Sequence, residues 1–130
     1  SIPKKLVERH GDPYPREVEE SVAAILARLG GSYPSGLAWQ SKLGPVEWLA
    51  PATLDVIRQL GARGVRQVLV VPIAFVTDHV ETLYEIDQLF AEEARGAGIT
   101  HFRRTPGLNL DPTFLEALAE IVRGRTAFWA

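Results

Sequence analysis

The chain has 130 residues, with 14 Lys+Arg against 16 Asp+Glu and a formal net charge of -2, enough for one domain that buries roughly two-thirds of its unfolded surface. The near-balance of charge without a Lys/Arg block lacks the footprint of a nucleic-acid binder, and the absence of cysteine excludes disulfides, iron–sulfur ligation and thiol nucleophiles. No apolar run approaches the ~20 residues that span a bilayer, and the opening SIPKKLVERHGDPYP has no apolar signal core: a soluble, cytoplasmic protein is expected, with peripheral membrane association left open, and the lack of any methionine makes the chain an expected part of a longer polypeptide.

From the N-terminus, YPREVEESVAAILARLGG places Val18, Val22, Ile25, Leu26 and Leu29 on one helical stripe, with Pro15 suited to the first turn and Gly30-Gly31 to the stop. SGLAWQSK is short and apolar enough for a buried strand. WLAPATLDVIRQLGARG then predicts a helix with Pro51 near its start and Leu54, Ile57 and Leu60 facing inward. VRQVLVVPI is a continuous β-branched run, the pattern of a central parallel strand covered on both faces. HVETLYEIDQLFAEEARGAG predicts a long helix, ITHFRR a short strand, and DPTFLEALAEIVRG a last helix capped by Asp111 with Pro112 in its first turn. The order α-β-α-β-α-β-α implies an α/β fold, an open parallel sheet with helices on both faces, with ligands beyond the carboxyl ends of the strands.

Two loops after strands therefore carry the interest. QSKLGPVEWLAP puts Gln40, Ser41 and Lys42 at a strand end and presents Trp48 from a loop, where the indole either faces a flat ligand or plugs the core below. IAFVTDHVE ends the most apolar run of the chain in Asp78, His79 and Glu81. Asp78-x-x-Glu81 reads as a capping box, in which Asp78 accepts a backbone N–H and Glu81 reaches back. The same residues set an imidazole between carboxylates, the elements of a proton relay. Further along, Glu81, Glu85, Gln88 and Glu92 share a helical face opposite Leu83, Ile86, Phe90 and Ala94, a stripe that either faces solvent or lines a wet channel for cations and protons. Other chemistries lack their residues: His79-x-Glu81 opens like the zinc-deaminase signature without its cysteines, HExxH, G-x-S-x-G, GxxxxGK[ST] and GxGxxG do not occur, and His10, His79 and His101 are too widely spaced for a metal motif.

GDPYP, LAWQSKLGPVEWLAPAT, VVPIAFVTDHVETLYEID and RTPGLN, in this order and spacing, resemble consecutive signature blocks of the C-terminal half of ferrochelatases, which insert ferrous iron into a porphyrin at the end of haem synthesis. The resemblance covers nearly the whole chain and implies a chelatase-like fold, with residues 1–130 as a single C-terminal domain. It implies Glu81 as the active-site glutamate beside the macrocycle and a transient ligand of Fe2+, with His79 as its catalytic partner. Asp78 and Glu85 would belong to the proton or metal path, with Glu120 near it, and Gln40, Ser41, Lys42 and Trp48 to the porphyrin-binding loop. Iron is then a substrate, and no tightly bound cofactor is implied.

In the family a catalytic histidine stands directly ahead of the position of Ser1. The resemblance thus also implies a preceding N-terminal half that forms the facing wall of the cleft. Without that half, the chain is expected to fold but to be inactive and open to self-association. Two further readings stay open, a porphyrin- or metal-binding module without turnover and a small chelatase made from two such chains. Protoporphyrin and coproporphyrin are both open as the substrate.

Overall fold

The computed structural model of the chain describes residues 1–40 and 44–126. In chain order these form α1 (Lys4–His10), α2 (Tyr14–Leu29), α3 (Thr53–Ala62), β1 (Gln67–Val70), a π-helix (Glu81–Phe90) continued by α4 (Ala91–Gly96), β2 (His101–Arg104) and α5 (Pro112–Thr126). No helix among the described residues is long and apolar enough to cross a membrane.

The fold is α/β, with β1 and β2 paired in parallel, Val68 opposite Phe102 and Val70 opposite Arg104. The crossover between them is the π-helix and α4. Val68, Val70 and Phe102 pack on a core made of Ile57 from α3, Ile86 and Phe90 from the π-helix, Ala94 from α4, and Ile99. Burial of these side chains stabilises the domain by roughly 1.5–3 kcal/mol each for the large ones. Helix α3 meets α4 closely: a Cβ at Gly61 would collide with the backbone and side chain of Ala97. Alongside, Arg58 Nε donates to Glu93 Oε1 at 2.6 Å.

The expected terminal signals are present in three helices. Pro15 lies in the first turn of α2 and that helix stops before Gly30. Asp111 Oδ1 accepts from the N–H groups of Thr113 and Phe114 at 2.9 and 3.1 Å, which caps α5. Thr53 opens α3 two residues after Pro51. Helix α1 was not anticipated; Gly11 ends it in the left-handed region, with its N–H on Val7 O.

Two strand expectations are corrected. The SGLAWQSK segment forms no ladder among its described residues: Trp39 makes a single parallel bridge to Ala52, giving its N–H to Pro51 O at 2.9 Å and accepting from Thr53 N at 3.2 Å. A strand needs a neighbour of its own length, and here the neighbour is a turn into α3. The run VRQVLVVPI yields a four-residue strand covered on one face rather than both: Leu69 is 63% exposed and Val71 51%. Leu69 lies on the face opposite Val68 and Val70 because side chains alternate along a strand, and the helices packed on the core cover the other face. The stripe of α2 is likewise half used, with Val18 buried and Leu29 60% exposed.

Candidate active site

Beyond the carboxyl end of β1 the chain runs through a loop to His79, where the helical winding begins: the N–H groups of Thr82 and Leu83 both reach His79 O, at 3.0 and 2.8 Å. The cap is built by Thr82, which is fully buried. Its Oγ1 accepts the His79 N–H at 3.0 Å, and the same hydroxyl lies 3.0 Å from His79 O and 3.3 Å from Asp78 Oδ1, either of which accepts its proton. The expected capping box is therefore replaced. Among the described residues, Asp78 accepts no helix N–H and Glu81 makes no bond back to the cap.

Glu81 turns instead toward the imidazole. Its Oε2 is 3.3 Å from His79 Nδ1, and its own backbone N–H points at the same nitrogen, also at 3.3 Å. These contacts demand opposite states of Nδ1, an acceptor for the N–H and a donor for the carboxylate. A proton arriving at or leaving Nδ1 thus exchanges one partner for the other without moving the ring. Phe75 fixes the ring edge-on, with centroids 4.5 Å apart and an interplanar angle of 81°. The His79 and Glu81 side chains are 33% and 40% exposed, so the pair meets solvent.

Gln40 joins this pair to the next acid. Its Nε2 donates to the Glu81 carbonyl at 2.9 Å and to Glu85 Oε2 at 2.7 Å. Both amide hydrogens are thereby committed, and among the described residues Oε1 accepts no hydrogen bond. Glu81 and Glu85 are half-buried, whereas Gln88 and Glu92 further along are exposed. The π winding explains why the opposite face differs from expectation. Thr82, Ile86, Phe90 and Ala94 are buried, a repeat of four residues, and Leu83 is 50% exposed.

Asp78, joined to the helix start through the Thr82 hydroxyl, is also the centre of a second set of contacts. Oδ1 accepts from Arg104 Nη1 at 2.6 Å, Oδ2 from Asn109 Nδ2 at 2.9 Å, and both oxygens lie within 3.3 Å of Gly107 N. These donors, Asn109 foremost, hold its carboxyl below the ordinary aspartate value against the opposing cost of desolvation. Arg104 also forks onto Asp87 in the π-helix, Nε to Oδ1 and Nη2 to Oδ2, both 2.8 Å, and its guanidinium is raised above its usual value, most of all by Asp87.

The remaining expected residues are spread out. Trp48 is half-buried and pairs with Pro3 in an antiparallel bridge, flanked by Lys4 N to Glu47 O at 2.8 Å and Leu49 N to Ile2 O at 3.3 Å. Glu120 is exposed on α5 and makes no hydrogen bond to the His79–Glu81–Gln40 group among the described residues. Ser41 and Lys42 lie outside the described residues. Among those described, no group of three or more His, Asp or Glu is placed to hold a metal ion. Two concavities lie elsewhere, one lined by Leu54, Leu89, Glu92, Glu93 and Gly96 and one by Asp87, Ala91, Phe102, Arg103 and Arg104. Thr82, Arg104 and Asn109 were not singled out from the sequence. The RTPGLN block contained a signal for the last two, an arginine closing a strand and an asparagine in a Gly-containing loop.

The ferrochelatase family profile matches residues 1–126. A protein named Ferrochelatase from Synechococcus sp. (strain RCC307) is 49% identical over 121 residues, 93% of this chain and 31% of its own length. One from Nostoc sp. (strain PCC 7120 / SAG 25.82 / UTEX 2576) is 51% identical over 121 residues, again 93% and 31%. One from Geotalea uraniireducens (strain Rf4) is 48% identical over 122 residues, 94% of this chain and 38% of the relative. The chain thus spans about a third of the length of the curated relatives it matches.

Proposed function

We propose, from a chain that belongs to the ferrochelatase family, that these residues form one wall of a site inserting ferrous iron into a porphyrin, with Glu81 and His79 handling the protons. The observation that carries this is the imidazole nitrogen held between a carboxylate and an N–H beyond the end of β1. Insertion exchanges two pyrrole N–H protons for the metal: free-base porphyrin and Fe2+ give the iron porphyrin and two protons, with no change of oxidation state. Glu81 accepts a proton from the macrocycle and His79 passes it on, which the two-partner geometry at Nδ1 permits. Oxygen and imidazole donors also suit ferrous iron as it sheds water. A pair rather than a cage lets the ion leave for the four porphyrin nitrogens.

Glu85, tied to Glu81 through Gln40, continues the acid path. Asp78, already saturated with donors, holds the site in place rather than passing protons along it. Gln40 and Trp48 contribute to porphyrin binding, Gln40 through its Oε1, and Ser41 and Lys42 are assigned to the same role by the family's sequence pattern. The facing wall comes from the rest of a longer enzyme.

The test is Glu81→Gln in the full-length enzyme. The amide keeps size and hydrogen bonding but takes no proton, so metal insertion falls ~10²-fold or more while porphyrin affinity stays within about three-fold. A variant that melts earlier yet retains turnover per folded molecule would overturn the assignment.

A further inference from the structure

We propose that Arg104 and Asn109 are positioning residues for the His79–Glu81 pair, acting through Asp78 and Asp87 to set where the π-helix starts and how its first turns are wound. The inference rests on the metal-insertion reading for its kinetic consequence, but its structural content stands apart from it. Arg104 ends β2 on the same face as Val70, the last residue of β1. From there one guanidinium, 9% exposed, reaches Asp78 just ahead of the helix, Asp87 within it, and the carbonyl of Thr105. A planar fork satisfied on both edges leaves little freedom to either acid.

Asn109 locks the other side. Its Oδ1 accepts the Asp78 N–H at 2.9 Å, its Nδ2 donates to the Asp78 carboxylate, and its own N–H donates to Val76 O at 2.8 Å. It does so at a φ of 48°, a left-handed conformation that asparagine tolerates better than most side chains. Gly107 lets the two loops touch, since a Cβ there would come within 2.9 Å of Asp78 N. The loops 76–78 and 105–109 are thereby one body.

The winding follows from the two fixed points. A π-helix is a rare conformation with i→i+5 bonding, and re-winding the stretch between Asp78 and Asp87 into an α-helix would rotate Asp87 off the Arg104 fork. Glu81 lies inside that stretch, so its carboxylate is aimed by residues that do not touch it. Misplacement of a reacting group by about 1 Å is worth ~10²-fold in rate.

The experiment compares Arg104→Lys and Asn109→Gly with wild type and with Arg58→Gln, which breaks an exposed ion pair elsewhere. Asn109→Gly keeps the left-handed backbone and removes only the side chain. In the full-length enzyme, at a temperature where each is fully folded, both clamp variants should lose kcat for iron insertion by ~10-fold or more with porphyrin KM within about three-fold. Hydrogen exchange of the Glu81–Ile86 amides should accelerate in both, and Arg58→Gln should change neither readout. A kcat that falls only with the folded fraction, or exchange unchanged at Glu81–Ile86, overturns the proposal. If wild type inserts no metal, the metal-insertion reading fails on its own, and the exchange measurement still decides the clamp.

Discussion

Protonating Asp78 would remove the acceptor that Arg104, Gly107 and Asn109 share, so this carboxyl contributes to the acid tolerance of the chain. Because its folded-state value lies below the ordinary one, chiefly through Asn109, its stabilising contribution is complete above the usual ~3.9 and is lost as pH falls through the lower folded value. Asp78→Asn should therefore be less stable than wild type at pH 7, with the difference shrinking below about pH 4. Urea midpoints at pH 7, 4 and 3 measure this, and a constant difference would contradict it. Gly61 makes the converse case for a helix interior. Gly→Ala within a helix ordinarily gains about 1 kcal/mol, but a methyl here meets Ala97, so Gly61→Ala should lower the melting temperature rather than raise it. At this scale the partners of Asp78 were not legible in the sequence. The Asp78-x-x-Glu81 spacing suits a cap, yet a carboxylate goes to the strongest donors within reach, and Arg104 and Asn109 arrive from residues 26 and 31 positions away.

Among the elements, the π-helix separates two substitutions that a 3.6-residue repeat would treat alike. Ile86 is 1% exposed and Leu83 50% exposed, so Ile86→Ala should cost ~2–5 kcal/mol and Leu83→Ala no more than about 0.5 kcal/mol, both read from denaturant unfolding. Comparable losses at the two positions would mean that the segment winds as an α-helix. The helices were legible because apolar stripes and end signals are local, as with Pro15 in α2 and Asp111 before α5. The π winding was not, since i→i+5 bonding leaves no mark in composition and depends on anchors outside the helix. Nor was the fate of Trp39, because a strand exists only where a partner backbone runs beside it.

For the whole molecule, surface area carries the argument. The chain exposes 9573 Å², whereas a compact monomer of 14.3 kDa exposes ~6,800 Å² by the usual scaling with mass. The excess is of the size that permanent interfaces bury, and it includes Leu69, Leu110, Ile121 and Val122, all more than half exposed. Since the chain spans about a third of its curated relatives, the 130 residues alone should show no iron insertion when mixed anaerobically with porphyrin and ferrous iron and watched for the haem spectrum. Turnover near that of a full-length ferrochelatase would instead favour a small enzyme made from two such chains. The reach of Arg104 back to Asp78 and Asp87 also sets an order of events. On the ribosome the acids emerge before the guanidinium that holds them, and Asn109 follows later still, a delay on the order of seconds at ordinary elongation rates. Through that interval Glu81 is present in the nascent chain without the contacts that fix the start of its helix, so that turn can take its final winding only once residue 109 has been made.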